Sequence, residues 1–175
     1  MGKYIVEKVS VPKNSIANES LSYIHYSDAY KILLPGESAH DVKFIASKFL
    51  TTVPSWVSHL MKVRDRVVSF IGLKTSSLSE VENIKLEQVS RIGLLRILNC
   101  SLHEILLGED DRHLNFRVSI LVEEVNGLNY LTVSTVVYFH NWMGKLYFFI
   151  VRKVHKVIVP AMLKNFVRKR HIVKI

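Results

Sequence analysis

Asn126-Gly127 separates two runs of alternating side chains, LNFRVSILVEEV before it and LNYLTVSTVVYF after it, and this constrains the fold more than any other feature. A two-residue type I′ turn needs positive φ at both central positions, which Asn and Gly tolerate, so the pair is a strong hairpin signal. With 126 and 127 at the centre of the turn, Val125 pairs with Leu128 and the residue numbers of every facing pair sum to 253. Leu114, Phe116, Val118, Ile120 and Val122 then face Phe139, Val137, Thr135, Val133 and Leu131 on one side. The other side sets His113 against His140, Asn115 against Tyr138, Arg117 against Val136 and Ser119 against Ser134. A slip of one residue would turn an apolar row to the wrong face, so pattern and turn specify one register.

The rest of the chain supplies the partners of this hairpin. LLRIL and HEILL, joined around Asn99-Cys100-Ser101, read as strands leading into it, and LSYIHYSDAYKILLP reads as an earlier strand stopped by Pro35-Gly36. Residues 1–20 are polar and expected to be irregular, ahead of a single domain over 21–170. Ser38 and Asp41 form a box-like N-cap before Val42, Ile45, Ala46 and Phe49, which recur at helical spacing. Pro54-Ser55 opens a second helix with the stripe Val57, Leu60, Met61, Arg64, Val67, Val68 and Ile71, capped by Gly72. The serine-rich stretch 73–90 reads as a surface excursion. Beyond His140, Tyr147, Ile150, Val151, Val154, Ile158, Ala161 and Met162 trace the inner stripe of a long helix that Pro160 is expected to kink.

Charge is placed unevenly on this framework. No acidic residue follows Glu124, and nine of the 24 lysines and arginines lie beyond it, so the net charge of +9 belongs to the C-terminal segment. Lys164, Arg168, Lys169 and Arg170 are its candidate anion-binding residues, for an anionic membrane surface or an acidic partner. The plainer reading is a solvated helix face. No aromatic-basic interleaving of a base-stacking surface accompanies the charge, so no specific nucleic-acid partner is expected. The longest apolar run, Leu146 to Val151, is far short of the roughly 20 residues of a membrane-spanning helix. The N-terminus lacks the apolar core of a signal peptide, and the lone Cys100 has no internal disulfide partner, so a cytoplasmic setting is expected.

Strand, two helices, an antiparallel meander and a long last helix is the order of an α+β helix-grip (START-like) fold, in which a sheet wraps around the C-terminal helix. LGEDDRHLNFRVSILVE, LTVSTVVYFHNWMGKLYF and VRKVHKVIVPAML are similar to the C-terminal signatures of an uncharacterised bacterial domain family. YSDAYKILLP and PSWVSHLMKVRDRVVSFIGLK extend the resemblance over roughly residues 10–165. Members occur alone or beside short-chain-dehydrogenase-like domains. The resemblance implies a fold of the polyketide-cyclase and lipid-transfer (SRPBCC) superfamily, whose members hold apolar ligands between sheet and helix. It brings no catalytic residue with it.

On that expectation a small apolar or amphipathic ligand would touch Phe116, Val118, Ile120, Val133, Val137, Tyr147, Ile150, Val154 and Met162, with Arg64 paired internally with a carboxylate or, as the alternative, pointing an anion-binding guanidinium into the pocket. Asp110, Asp111, Arg112, His113, Asn115, Arg117, Tyr138 and His140 form a second, polar group. Its simplest reading is a hydrogen-bonded cluster on the outer sheet face. As alternatives, His113 and His140 with Asp111 make acid/base candidates, or ligands too loosely spaced for a metal to be expected. His155, among basic residues, reads most simply as exposed, with a pocket-lining position as the alternative. Trp56 and Trp142 can stack on a ligand but more often pack in a core or at a rim. There is no phosphate-binding glycine loop, dinucleotide fingerprint or Gly-x-Ser-x-Gly elbow, so no cofactor is expected.

Overall fold

A computed structural model describes residues 4–35, 41–51, 91–92 and 95–172, with residues 171 and 172 described by their backbone alone. Within them the elements are β1 (Val6–Val9), β2 (Tyr26–Leu33), α1 (Val42–Thr51), β3 (Arg91–Ile92), β4 (Leu95–Cys100), β5 (Glu104–Asp110), β6 (Leu114–Val125), β7 (Leu128–Phe139) and α2 (Trp142–Ile172). The second predicted helix with Arg64 and Trp56, and the stretch 73–90, lie outside the described residues. The seven strands form one antiparallel sheet in the order β1-β2-β7-β6-β5-β4-β3, with α2 packed against it, the α+β helix-grip arrangement expected from the element order.

The hairpin forms in the predicted register, from Leu114 opposite Phe139 to Val125 opposite Leu128. Asn126 and Gly127 both take positive φ, 53° and 75°, as a type I′ turn requires. The predicted first strand lies one in from the edge of the sheet, between β1 and β7, with Tyr26 to Leu33 pairing along β7. In α1, Val42, Ile45, Ala46 and Phe49 are all buried, and the side chain of Asp41 accepts the Lys43 backbone N–H at its start.

The pleat divides the sheet into two faces with different covers. Tyr30, Ile32, Ile105, Leu107, Ile120, Leu131 and Val133 turn toward the helices and form the main core with α1 and with Val159, Met162, Leu163, Phe166 and Val167 of α2. Fully burying each aliphatic side chain there is worth about 1.5–3 kcal/mol. The opposite face is covered by the N-terminal segment. Val11, Ile16, Leu21 and Ile24 pack over Ala17, Leu106 and Val136, while Val6 to Val9 add an edge strand beside β2. Residues 1–20 are therefore not irregular throughout. A strand of four residues with two charges in its middle carries too little alternation to be read from sequence, and what holds the segment down is a distant partner.

That partner is Glu104, on the outward side of β5 and 3% exposed. Its carboxylate accepts from Ser15 Oγ at 2.6 Å, from the Ile16 backbone N–H at 3.0 Å and from Ser119 Oγ. Ser15 also caps the short 3-10 turn Ile16–Glu19 by accepting from the Ala17 N–H at 3.2 Å. A buried carboxylate is costly unless its lone pairs are filled, and here three donors fill them. The result is a strap latched across the back of the sheet.

Helix α2 continues through Pro160 over its 31 residues. No helix among the described residues is long and apolar enough to cross a membrane.

Candidate functional site

The face that α2 presents to the sheet differs from the one its apolar residues suggest. Phe148, Val159, Met162, Leu163, Phe166 and Val167 are the buried apolar side chains, and His155 falls on the same stripe between Phe148 and Val159. Among the residues expected to line a ligand, Ile120, Val133, Val137 and Met162 are buried, and Phe116, Val118, Tyr147 and Val154 are half-buried. Ile150 is 50% exposed, as are its neighbours Leu146 and Phe149 to a similar degree, so Ile150 does not belong to the seam. The helix is rotated by about one residue from the expected phase, because an inner stripe drawn to avoid polar side chains leaves out His155.

His155 faces inward because the sheet holds a partner for it. Asp28 lies on the helix-facing side of β2, its side chain 1% exposed, with Oδ1 3.4 Å from His155 Nε2. The Tyr26 hydroxyl donates to Asp28 Oδ2 at 2.7 Å, and His155 Nε2 is 3.1 Å from Thr135 Oγ1 on the neighbouring strand. Three elements thus converge: Tyr26 and Asp28 from β2, Thr135 from β7 and His155 from α2. Pairing of Asp28 with Thr135 across β2 and β7 puts the acid and the hydroxyl side by side. The cluster separates the main core from a second apolar group at the start of α2, where Phe148 packs on Leu114 and Val137, flanked by Tyr26, Phe116, Phe139 and Tyr147.

Burial by itself would raise the pKa of Asp28. The hydrogen bond and charge of His155, the Tyr26 hydroxyl and the charge of Lys8 outweigh it and hold the carboxyl below its ordinary value of 3.8. Asp28 is therefore ionised at neutral pH. Desolvation and then the Asp28 hydrogen bond and charge push the Tyr26 phenol well above its ordinary value, so Tyr26 stays a donor. His155 turns Nε2 toward both Asp28 and Thr135, which leaves Nδ1 as its second polar atom. The signal for this site was present in YSDAYKIL: Asp28 interrupts the inward row Tyr26, Tyr30, Ile32, as His155 interrupts the stripe of α2.

The polar group singled out from the hairpin is divided among local duties. His113 is buried and its Nδ1 lies 3.0 Å from the Asn141 amide nitrogen, while Asn141 Oδ1 caps α2 by accepting the Gly144 N–H at 3.1 Å. Asp111 closes the β5–β6 turn by accepting the His113 N–H at 3.1 Å. His140 is exposed and bonds Asn115 Oδ1 at 2.8 Å, and its ring stands edge-on to Tyr138 at 5.0 Å. The buried Arg117 pairs with the exposed Asp110 at 2.7 Å on the face away from α2, and Arg112 is exposed. The backbones of His113 and His140 are joined, His140 N–H to His113 C=O at 3.0 Å, but their rings serve different partners. Among the described residues no three His, Cys, Asp or Glu side chains gather in a metal-holding group.

At the far end of α2, Lys164, Arg168 and Lys169 are exposed and Arg170 is half-buried, its pKa lowered by desolvation. Arg168 donates to Asn165 Oδ1 one turn back at 3.1 Å. Trp142 stands 71% exposed at the first turn of the helix, a rim position rather than a core one.

A search of the curated proteins finds no match to this chain. The model of the family described as Protein of unknown function (DUF2867) matches residues 20–162, which span β2 and the hairpin and reach α2 as far as Met162, and so take in Asp28, Thr135 and His155. The chain belongs to this family of proteins of unknown function (DUF2867).

Proposed function

We propose that the chain is a binding module for a small amphipathic ligand held between the sheet and α2, its polar end at the Asp28–His155 cluster and its apolar body toward Phe116, Val137 and Phe148. The observation that carries this reading is an ionised carboxylate and an imidazole, with the Tyr26 and Thr135 hydroxyls, inside a seam whose other lining is mainly apolar. For stability alone a well-packed apolar pair would serve such a position as well or better. Polar groups converging on an apolar surface are what a ligand site needs for orientation. Kinship with the START-like (SRPBCC) superfamily belongs to the same proposal, and the helix-grip arrangement supports it by analogy of fold. So does a reducing, cytoplasmic setting, supported by the single Cys100. The test is displacement of an environment-sensitive apolar dye from the purified chain by decanol, in wild type and in Val137→Trp, which fills the seam. Saturable one-to-one binding that Val137→Trp abolishes is expected; wild type without saturable binding rules the seam out.

The exposed basic end of α2 favours a second role beside this one, attraction to an anionic membrane or acidic partner. Sedimentation with vesicles containing phosphatidylserine is expected to weaken when Lys164, Arg168, Lys169 and Arg170 are changed together to glutamine, and no change rejects the role.

A further inference from the structure

Arg152 lies on α2 three residues before His155, half-buried, with its guanidinium carbon 6.0 Å from the Tyr26 ring centroid and 5.9 Å from that of Phe149. Its charge reaches the Tyr26 hydroxyl, the same hydroxyl that donates to Asp28. Among the described residues Arg152 forms no ion pair with a carboxylate, whereas Asp28 already has Tyr26 and His155. The guanidinium thus stands by the Tyr26 ring, and Tyr26 itself packs against the apolar group of Leu114, Val137 and Phe148.

We infer that the ligand of the seam carries a carboxylate, taken by the Arg152 guanidinium at the Tyr26 edge of the cluster; this rests on the ligand-binding reading above. A planar fork of N–H groups matches a carboxylate in two parallel hydrogen bonds, and the apolar side chains next to it suit a hydrocarbon body. A monoanion is balanced by this one cation. A doubly charged phosphate would bring a surplus negative charge toward the ionised Asp28, so a carboxylate is the better match.

The test compares decanoate, decanol and decyl phosphate at neutral pH by dye displacement from the full chain, in wild type, Arg152→Gln and the exposed-lysine control Lys156→Gln, with folding checked by circular dichroism. Wild type is expected to bind decanoate about tenfold more tightly than decanol, as one charge-assisted pair allows. Arg152→Gln should bring the two together while keeping decanol affinity, and Lys156→Gln should preserve the preference. Equal affinity of wild type for acid and alcohol overturns the carboxylate assignment and leaves the seam standing. A preference that survives Arg152→Gln, disappears in Lys156→Gln, or falls to decyl phosphate also overturns it. Binding of none of the three overturns both readings.

Discussion

His155 on the last helix and Asp28 on the second strand meet at 3.4 Å in the seam between helix and sheet, 127 positions apart in sequence. The pairing sets the rotation of α2 and brings an ionised group into the helix-facing side of the sheet.

A first consequence is a pH dependence. The folded chain holds the Asp28 carboxyl below its ordinary value of 3.8, so its stabilising contribution is complete above that value and is lost as pH falls through the lower folded value. Asp28→Asn is expected to cost about 1–3 kcal/mol near neutrality. The gap between variant and wild type should narrow as urea titrations move below about pH 4. A gap that is constant or grows in acid contradicts the assignment.

The phase of α2 is testable with two alanine substitutions. Leu163 is fully buried and Ile150 is half exposed. Leu163→Ala should cost about 2–5 kcal/mol and Ile150→Ala within about 0.5 kcal/mol. Comparable losses at the two sites would mean that the helix sits in the phase its apolar residues alone suggest.

Gly144 offers a case in which helix propensity and packing oppose each other. Alanine is favoured over glycine inside a helix by about 1 kcal/mol. Yet a methyl group at 144 would overlap the His113 carbonyl oxygen, which is backbone and cannot swing aside. Gly144→Ala is therefore expected to destabilise by about 1–3 kcal/mol, read from thermal and urea midpoints. A stabilised variant would show that α2 does not pack this closely on the β5–β6 turn.

The latch at Glu104 predicts a local effect as well as a global one. Glu104→Ala leaves Ser15, Ser119 and the Ile16 N–H buried without their acceptor, at a cost of about 2–3 kcal/mol. Limited proteolysis should then cut within residues 10–24 before the sheet is attacked, and Glu104→Gln should fall between the two. Cleavage elsewhere first would detach the strap from Glu104.

The sequence by itself determined the hairpin completely. Its information is local: two period-two runs, a turn pair able to take positive φ, and a register in which only one choice buries both apolar rows. The buried face of α1 and the α+β class with a last helix against the sheet follow from the same kind of regularity. Tertiary structure decided the rest. The polar residues grouped by the hairpin register share neighbouring backbone, but side chains on a strand end turn to whichever cap, turn or charge lies nearest, so His113 joins Asn141 and His140 joins Asn115. The Asp28–His155 pair stayed hidden for the opposite reason. Each residue alone interrupts an apolar row, and an isolated polar residue in such a row is best placed outside. Only when β2 lies beside β7 and α2 crosses above them does each become the other's partner, and a paired charge can stay inside where a single one cannot.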